Sequence, residues 1–99
     1  MNAAVCVEPG NIQIKEVPVK PVGPNEVLVK VAYCGICPSD LRTYRGLSSR
    51  KLPTILGHEF TGWVEGVGDS VRDIKVGERV AVDPGRRCYT KRTRETFIR

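Results

Sequence analysis

Glycine and proline punctuate this 99-residue chain at short intervals, ten glycines and seven prolines in all, every one of them before residue 86. That punctuation leaves no room for a long helix, because proline removes a backbone donor and glycine weakens a helix interior. The segments between the breaks are short, apolar and rich in β-branched residues, which suits strands. Ala3-Ala4-Val5-Cys6-Val7 is one, closed by Pro9-Gly10. Ile12, Ile14 and Val17 alternate with polar residues apart from one slip, the mark of a bulge or a strand end. Pro18, Pro21, Gly23 and Pro24 make a stiff connector. Glu26 to Tyr33 is the clearest strand, with Val27, Val29 and Val31 on one face. Phe60 to Val67 is the next, where Gly62 and Gly66 mark close backbone approach or bulging. Gly68-Asp69-Ser70 turns the chain, Val71 to Val76 runs into Gly77, and Glu78 to Val82 forms a last strand before the turn Asp83-Pro84-Gly85. One helix interrupts this series: Ser39 or Asp40 is suited to cap a short helix from Leu41 to Arg45, stopped by Gly46, with Leu47 to Pro53 as loop. The pattern predicts a mainly β protein, a small irregular β-barrel with one or two short helices.

Length and charge set further bounds. Ninety-nine residues make one domain at most. No apolar run approaches the roughly 20 residues that span a bilayer, and the start Met1-Asn2-Ala3-Ala4-Val5 lacks the form of a secretory signal. The expected location is the cytoplasm, where the four cysteines serve metal binding or catalysis rather than disulfides. The net charge of +5 is confined to one end. Residues 1–85 hold ten Lys/Arg against ten Asp/Glu, whereas residues 86–99 hold six cations against Glu95 alone. The organisation expected is a folded body over 1–85 and an irregular basic tail over 86–99. With a neutral body and no aromatic-rich stacking surface, neither nucleic acid nor membrane is an expected partner.

The chemistry concentrates in two short segments. Cys34-Gly35-Ile36-Cys37 sits in a glycine- and proline-marked turn, and the single histidine, His58, stands between Gly57 and Glu59. Cys-x-x-Cys alone fits a redox pair, half of a structural zinc site or two small buried hydrophobes. Cys6 and Cys34 fit the last role, Cys6 inside an apolar strand and Cys34 at a strand end. Cys37 lies in the turn, where a thiolate can face a cleft. A lone histidine is usually structural, but a thiolate, an imidazole and an adjacent carboxylate are zinc ligand types, and the acid can also hold a ligand or water in place.

From Asn25 to Pro84 the chain closely resembles the N-terminal catalytic domain of the zinc-dependent medium-chain alcohol and polyol dehydrogenases. The match runs through Glu26-Val27-Leu28-Val29-Lys30-Val31, Cys34-Gly35-Ile36-Cys37-x-Ser39-Asp40-Leu41, Leu56-Gly57-His58-Glu59-Phe60-x-Gly62, and Val67-Gly68 to Gly77-x-Arg79-Val80. The order and spacing of these motifs carry the resemblance, which covers about residues 1–90. It implies a GroES-like barrel and assigns roles by position. Cys37 and His58 match two ligands of the catalytic zinc, and Glu59 matches an acid that binds the metal in some members. Ser39 matches the hydroxyl that takes the substrate proton, Asp40 matches an acid that orients the ligands, and Gly62 and Gly77 match structural glycines. The implied reaction oxidises a small alcohol to a carbonyl with hydride transfer to NAD or NADP.

Three departures qualify the resemblance. Arg42 stands where several relatives carry a histidine of the proton relay, and arginine stays protonated, so either the relay ends at Ser39 and water or the substrate class differs. Cys88 fits the first cysteine of a structural zinc lobe, but Lys91 and Arg94 replace the next two, so a structural zinc is not expected. The family's third catalytic zinc ligand and nucleotide-binding domain have no counterpart in these residues, and Gly66-Val67-Gly68 lies within a hairpin signal rather than a dinucleotide-binding turn. The expected identity is therefore a catalytic-domain fragment, inactive alone and prone to self-association through apolar surface. The rival is a non-catalytic GroES-like interaction module with a vestigial zinc site. A shifted reading frame after about Thr90 would explain both the failed lobe and the basic tail. An intact stop codon in the gene, with no dehydrogenase-like frame downstream, would exclude it.

Overall fold

The computed structural model describes residues 1–84. The expectations for the basic tail, Cys88, Lys91 and Arg94 lie outside the described residues. The elements in chain order are β1 (Asn2–Glu8), β2 (Asn11–Glu16), β3 (Val27–Gly35), α1 (Pro38–Tyr44), β4 (Thr54–Ile55), β5 (Glu59–Val67) and β6 (Arg79–Ala81). The mainly β expectation holds, with one short helix among the described residues. The chain divides into two compact units, one of Met1–Val19 with Gly35–His58, the other of Lys20–Cys34 with the chain from Glu59 onward.

The first unit is built on a hairpin. β1 and β2 pair antiparallel, Ala4 opposite Ile14 and Cys6 opposite Ile12, with an irregularity between Cys6 and Glu8. β4 joins the other edge of β1 through Val5↔Ile55 and Cys6↔Thr54, giving the order β2-β1-β4. Ala3, Val5 and Cys6 are buried, as the apolar run predicts. β2 behaves differently. Its isoleucines alternate as in a strand, yet Ile12 and Ile14 are exposed. Alternation there marks the strand but not a buried face, because β2 is the outer strand of its sheet. β4 is too short to leave a sequence signal; its place is set by pairing with β1.

The second unit holds the larger apolar cluster. Its sheet has the order β3-β5-β6, with β5 and β6 antiparallel through Gly62↔Val80 and Trp63↔Arg79. Val27, Val29, Phe60 and Val64 form the buried cluster, with Val67, Val71, Ile74, Val80 and Val82 packed against it. β5 alternates strictly, Phe60, Gly62 and Val64 inward and Thr61, Trp63 and Glu65 outward. The segment 71–76 adds Val71 and Ile74 to the cluster without forming a strand. Gly62 is required by close approach, since a Cβ there would overlap the carbonyl of Lys30 and meet Cγ1 of Val29 at 2.9 Å.

β3 runs two residues past the expected end, to Gly35. Its far half is uncovered: Val31 and Tyr33 share the face of Val27 and Val29 but are exposed, Tyr33 by 81%. Cys34, expected as a small buried hydrophobe, is also exposed. The reason is positional, because this end of β3 projects beyond the cluster that covers its first half.

Candidate metal centre

The site grows from the start of α1. Cys37 is the residue before the helix, in an extended conformation (φ −88°, ψ 148°), and Pro38 opens the first turn. Proline suits that position because its missing N–H is one the helix could not satisfy anyway. The expectation that Ser39 or Asp40 caps the helix is corrected here, since the helix starts earlier and both lie inside its first turn. Asp40 still stabilises the end by reaching back: its Oδ2 accepts the backbone N–H of Cys37 at 3.1 Å, the reciprocal half of a capping box. Thr43 lies one turn on, fully buried, and its hydroxyl donates to the carbonyl of Ser39 at 3.0 Å. The turn that carries Cys37, Ser39 and Asp40 is therefore held by its own polar side chains.

His58 arrives from the β4 side. Leu56 N–H bonds to the carbonyl of Ala4 at 2.9 Å, extending the anchorage of β4 to β1. Gly57 follows with φ +94°, a conformation that side-chain-bearing residues rarely adopt. That reversal places the imidazole against α1. Nε2 of His58 lies 3.4 Å from Oγ of Ser39, and Nδ1 lies 3.5 Å from Oδ1 of Asp40. The Asp40 contact is longer than an ordinary hydrogen bond, and both atoms are buried without a hydrogen-bond partner. A carboxylate can only accept, so a hydrogen bond closed here would put the proton on Nδ1 and leave the lone pair on Nε2.

A sulfur, a nitrogen and an oxygen meet at this point. Sγ of Cys37, a ring nitrogen of His58 and a carboxylate oxygen of Glu59, the next residue in the chain, all lie within 4.8 Å of one another. Ligand-to-ligand edges of about 3.3–3.7 Å follow from tetrahedral zinc with Zn–S near 2.3 Å and Zn–N or Zn–O near 2.0–2.2 Å. Closing the set on an ion requires shifts of about an ångström. The donor types and the acid behind the imidazole fit zinc. All five residues singled out from the sequence for this chemistry, Cys37, Ser39, Asp40, His58 and Glu59, thus fall in one neighbourhood. Sequence reasoning missed Thr43, whose hydroxyl braces the turn; the signal was present as its four-residue spacing from Ser39.

Comparison with known proteins agrees with this geometry. Residues 23–97 match the family described as the alcohol dehydrogenase GroES-like domain. The sorbitol dehydrogenase of Bacillus subtilis (strain 168) is 46% identical over 92 residues, 89% of this chain and 26% of that protein. Among solved structures, the alcohol dehydrogenase TADH from Thermus sp. ATN1 superposes with a TM-score of 0.77 at 40% identity, over 82% of this chain and 24% of that one. The alcohol dehydrogenase rspB from E. coli CFT073, solved with NADH, superposes with a TM-score of 0.76 at 43% identity, over 85% and 24%. The chain spans about a quarter of the length of the relatives it matches. With the match covering three quarters of its residues, the chain belongs to the alcohol dehydrogenase GroES-like domain family.

Proposed function

We propose that this chain supplies the catalytic-domain portion of a zinc-dependent alcohol or polyol dehydrogenase, with Cys37, His58 and Glu59 as metal ligands and Ser39 and Asp40 as the groups that serve them. The supporting observation is the meeting of Cys37 Sγ, the His58 ring and the Glu59 carboxylate within 4.8 Å, with Asp40 behind the imidazole. When bound, zinc supplies a Lewis acid that makes an alcohol hydroxyl acidic, and NAD or NADP supplies the hydride acceptor. The chain's own residues do the rest. Asp40 orients the His58 ring and fixes its tautomer. Ser39, with its hydroxyl beside Nε2 of His58, receives the proton leaving the alcohol and hands it to water, since Arg42 cannot relay it.

Metal binding is the part of this function assigned to the described residues. Calorimetric titration with zinc tests the reading. One ion per chain is expected for the wild type, and none for Cys37→Ala or His58→Ala. Absence of uptake by the wild type, or uptake unchanged in both variants, overturns it. We also propose cytoplasmic residence, and self-association through the uncovered face of Val31 and Tyr33. Sedimentation should show an average mass that rises with concentration. A monomer at all concentrations would contradict this.

A further inference from the structure

The balance of charge in the folded body conceals a sharp local excess. Within residues 42–51 stand Arg42, Arg45, Arg50 and Lys51 without one Asp or Glu, whereas the other described residues hold six Lys/Arg against ten Asp/Glu. All four cations are exposed. No acid occurs between Leu41 and His58. The acid nearest before that stretch, Asp40, is buried, facing the Cys37 amide and the His58 ring. The positive segment is therefore not neutralised by its sequence neighbours.

It is also attached to the site. Arg42 follows Ser39 by three positions on α1, and residues so spaced stand side by side on a helix surface. Its guanidinium is held in place: Nη2 donates to the carbonyl of Leu47 at 3.2 Å, while Leu47 N–H bonds back to the carbonyl of Arg42 at 2.8 Å. That contact uses one of five donors. The same pair of bonds ties Leu47, at the start of the loop that carries Arg50 and Lys51, back to the end of the helix. An exposed arginine three positions after the proton-accepting serine, backed by three more cations, offers donors of the kind that recognise phosphate or carboxylate.

We propose that Arg42 is a specificity-determining residue and that the substrate is an anionic alcohol, one bearing a phosphate or carboxylate besides the hydroxyl that reacts. The inference rests on the metal-site reading above. Arg42 binds the anionic group while Ser39 faces the hydroxyl, and Arg45, Arg50 and Lys51 raise the local concentration of anions.

The test uses the 99-residue chain loaded with cobalt(II), whose visible absorption reports the metal surroundings, titrated with glycerol, sn-glycerol 3-phosphate and ADP-ribose. A charge-assisted hydrogen bond to the anion predicts roughly tenfold or greater preference for glycerol phosphate over glycerol. Arg42→Gln should reduce that preference to about twofold or less with the cobalt spectrum unchanged, and Arg42→Lys should keep part of it, because a lysine retains the charge but not the fork. Raising the salt should shrink the preference. Equal binding of the two alcohols, or a preference untouched by Arg42→Gln, overturns the anion reading while an intact cobalt spectrum keeps the metal reading. Dependence on Arg42 for ADP-ribose alone would assign the arginine to a dinucleotide and overturn it too. Failure to take up cobalt overturns both.

Discussion

The β3-β5-β6 sheet and the segment from Cys37 to His58 are held together by different forces. In the sheet, Val27, Val29, Phe60 and Val64 bury apolar surface on one face, each contributing on the order of 1.5–3 kcal/mol relative to exposure. In the site segment, the buried residues of the helix are Asp40 and Thr43, and polar bonds to backbone set the geometry. The first region is fixed by buried apolar area and tolerates exchanges among apolar side chains of similar volume. The second is fixed by particular atoms and tolerates changes of shape that preserve those atoms.

That contrast can be broken at three points. The largest effect is expected from Gly62→Val. Its Cβ overlaps the Lys30 carbonyl, a backbone atom that cannot swing aside, so a loss of more than about 3 kcal/mol is expected. Urea denaturation measures it, and a midpoint near that of the wild type would show that β3 and β5 can separate. Val64→Ala comes next, at about 2.5 kcal/mol for two methyl groups and the void they leave. Zinc affinity per folded chain should be nearly unchanged, because Val64 lies five residues along β5 from Glu59 and is not among the donors. Third, Asp40→Asn should weaken zinc binding at least tenfold, about 1.4 kcal/mol, while costing the apo chain only about 1 kcal/mol through the weakened helix start. If Asp40→Asn instead destabilised the apo chain as much as Val64→Ala, the carboxylate would be mainly a structural brace.

The two regions also differed in how far the sequence exposed them. Strict alternation from Phe60 to Val64 announces a half-buried strand, and β5 is one. The same alternation at Ile12 and Ile14 announces a strand whose apolar side faces outward, because period reports backbone geometry and not what lies above it. Cys34, expected buried, is exposed for the same reason: a strand's chemistry does not state where its cover ends. β4 was invisible because two residues carry no period. In the site, residue types and the spacing of motifs pointed to Cys37, His58 and Glu59, but their convergence depends on the turn at Gly57 and on pairing of β4 with β1, neither of which local composition encodes. The capping role fell to Cys37 rather than Ser39 or Asp40 because Pro38 starts the helix a turn-position earlier than the polar residues suggest. Residues 1–85 sum to zero net charge and yet hold a local excess at 42–51, since a total carries no map.

Cys37 occupies the position where a helix is best begun by serine, threonine, asparagine or aspartate. Exchange of the thiol for one of these would favour the helix start and, on the proposed reading, remove a metal ligand. A metal duty for the sulfur would therefore run against the helix's own preference at this position, so the two demands meet on one atom and can be separated by a single substitution.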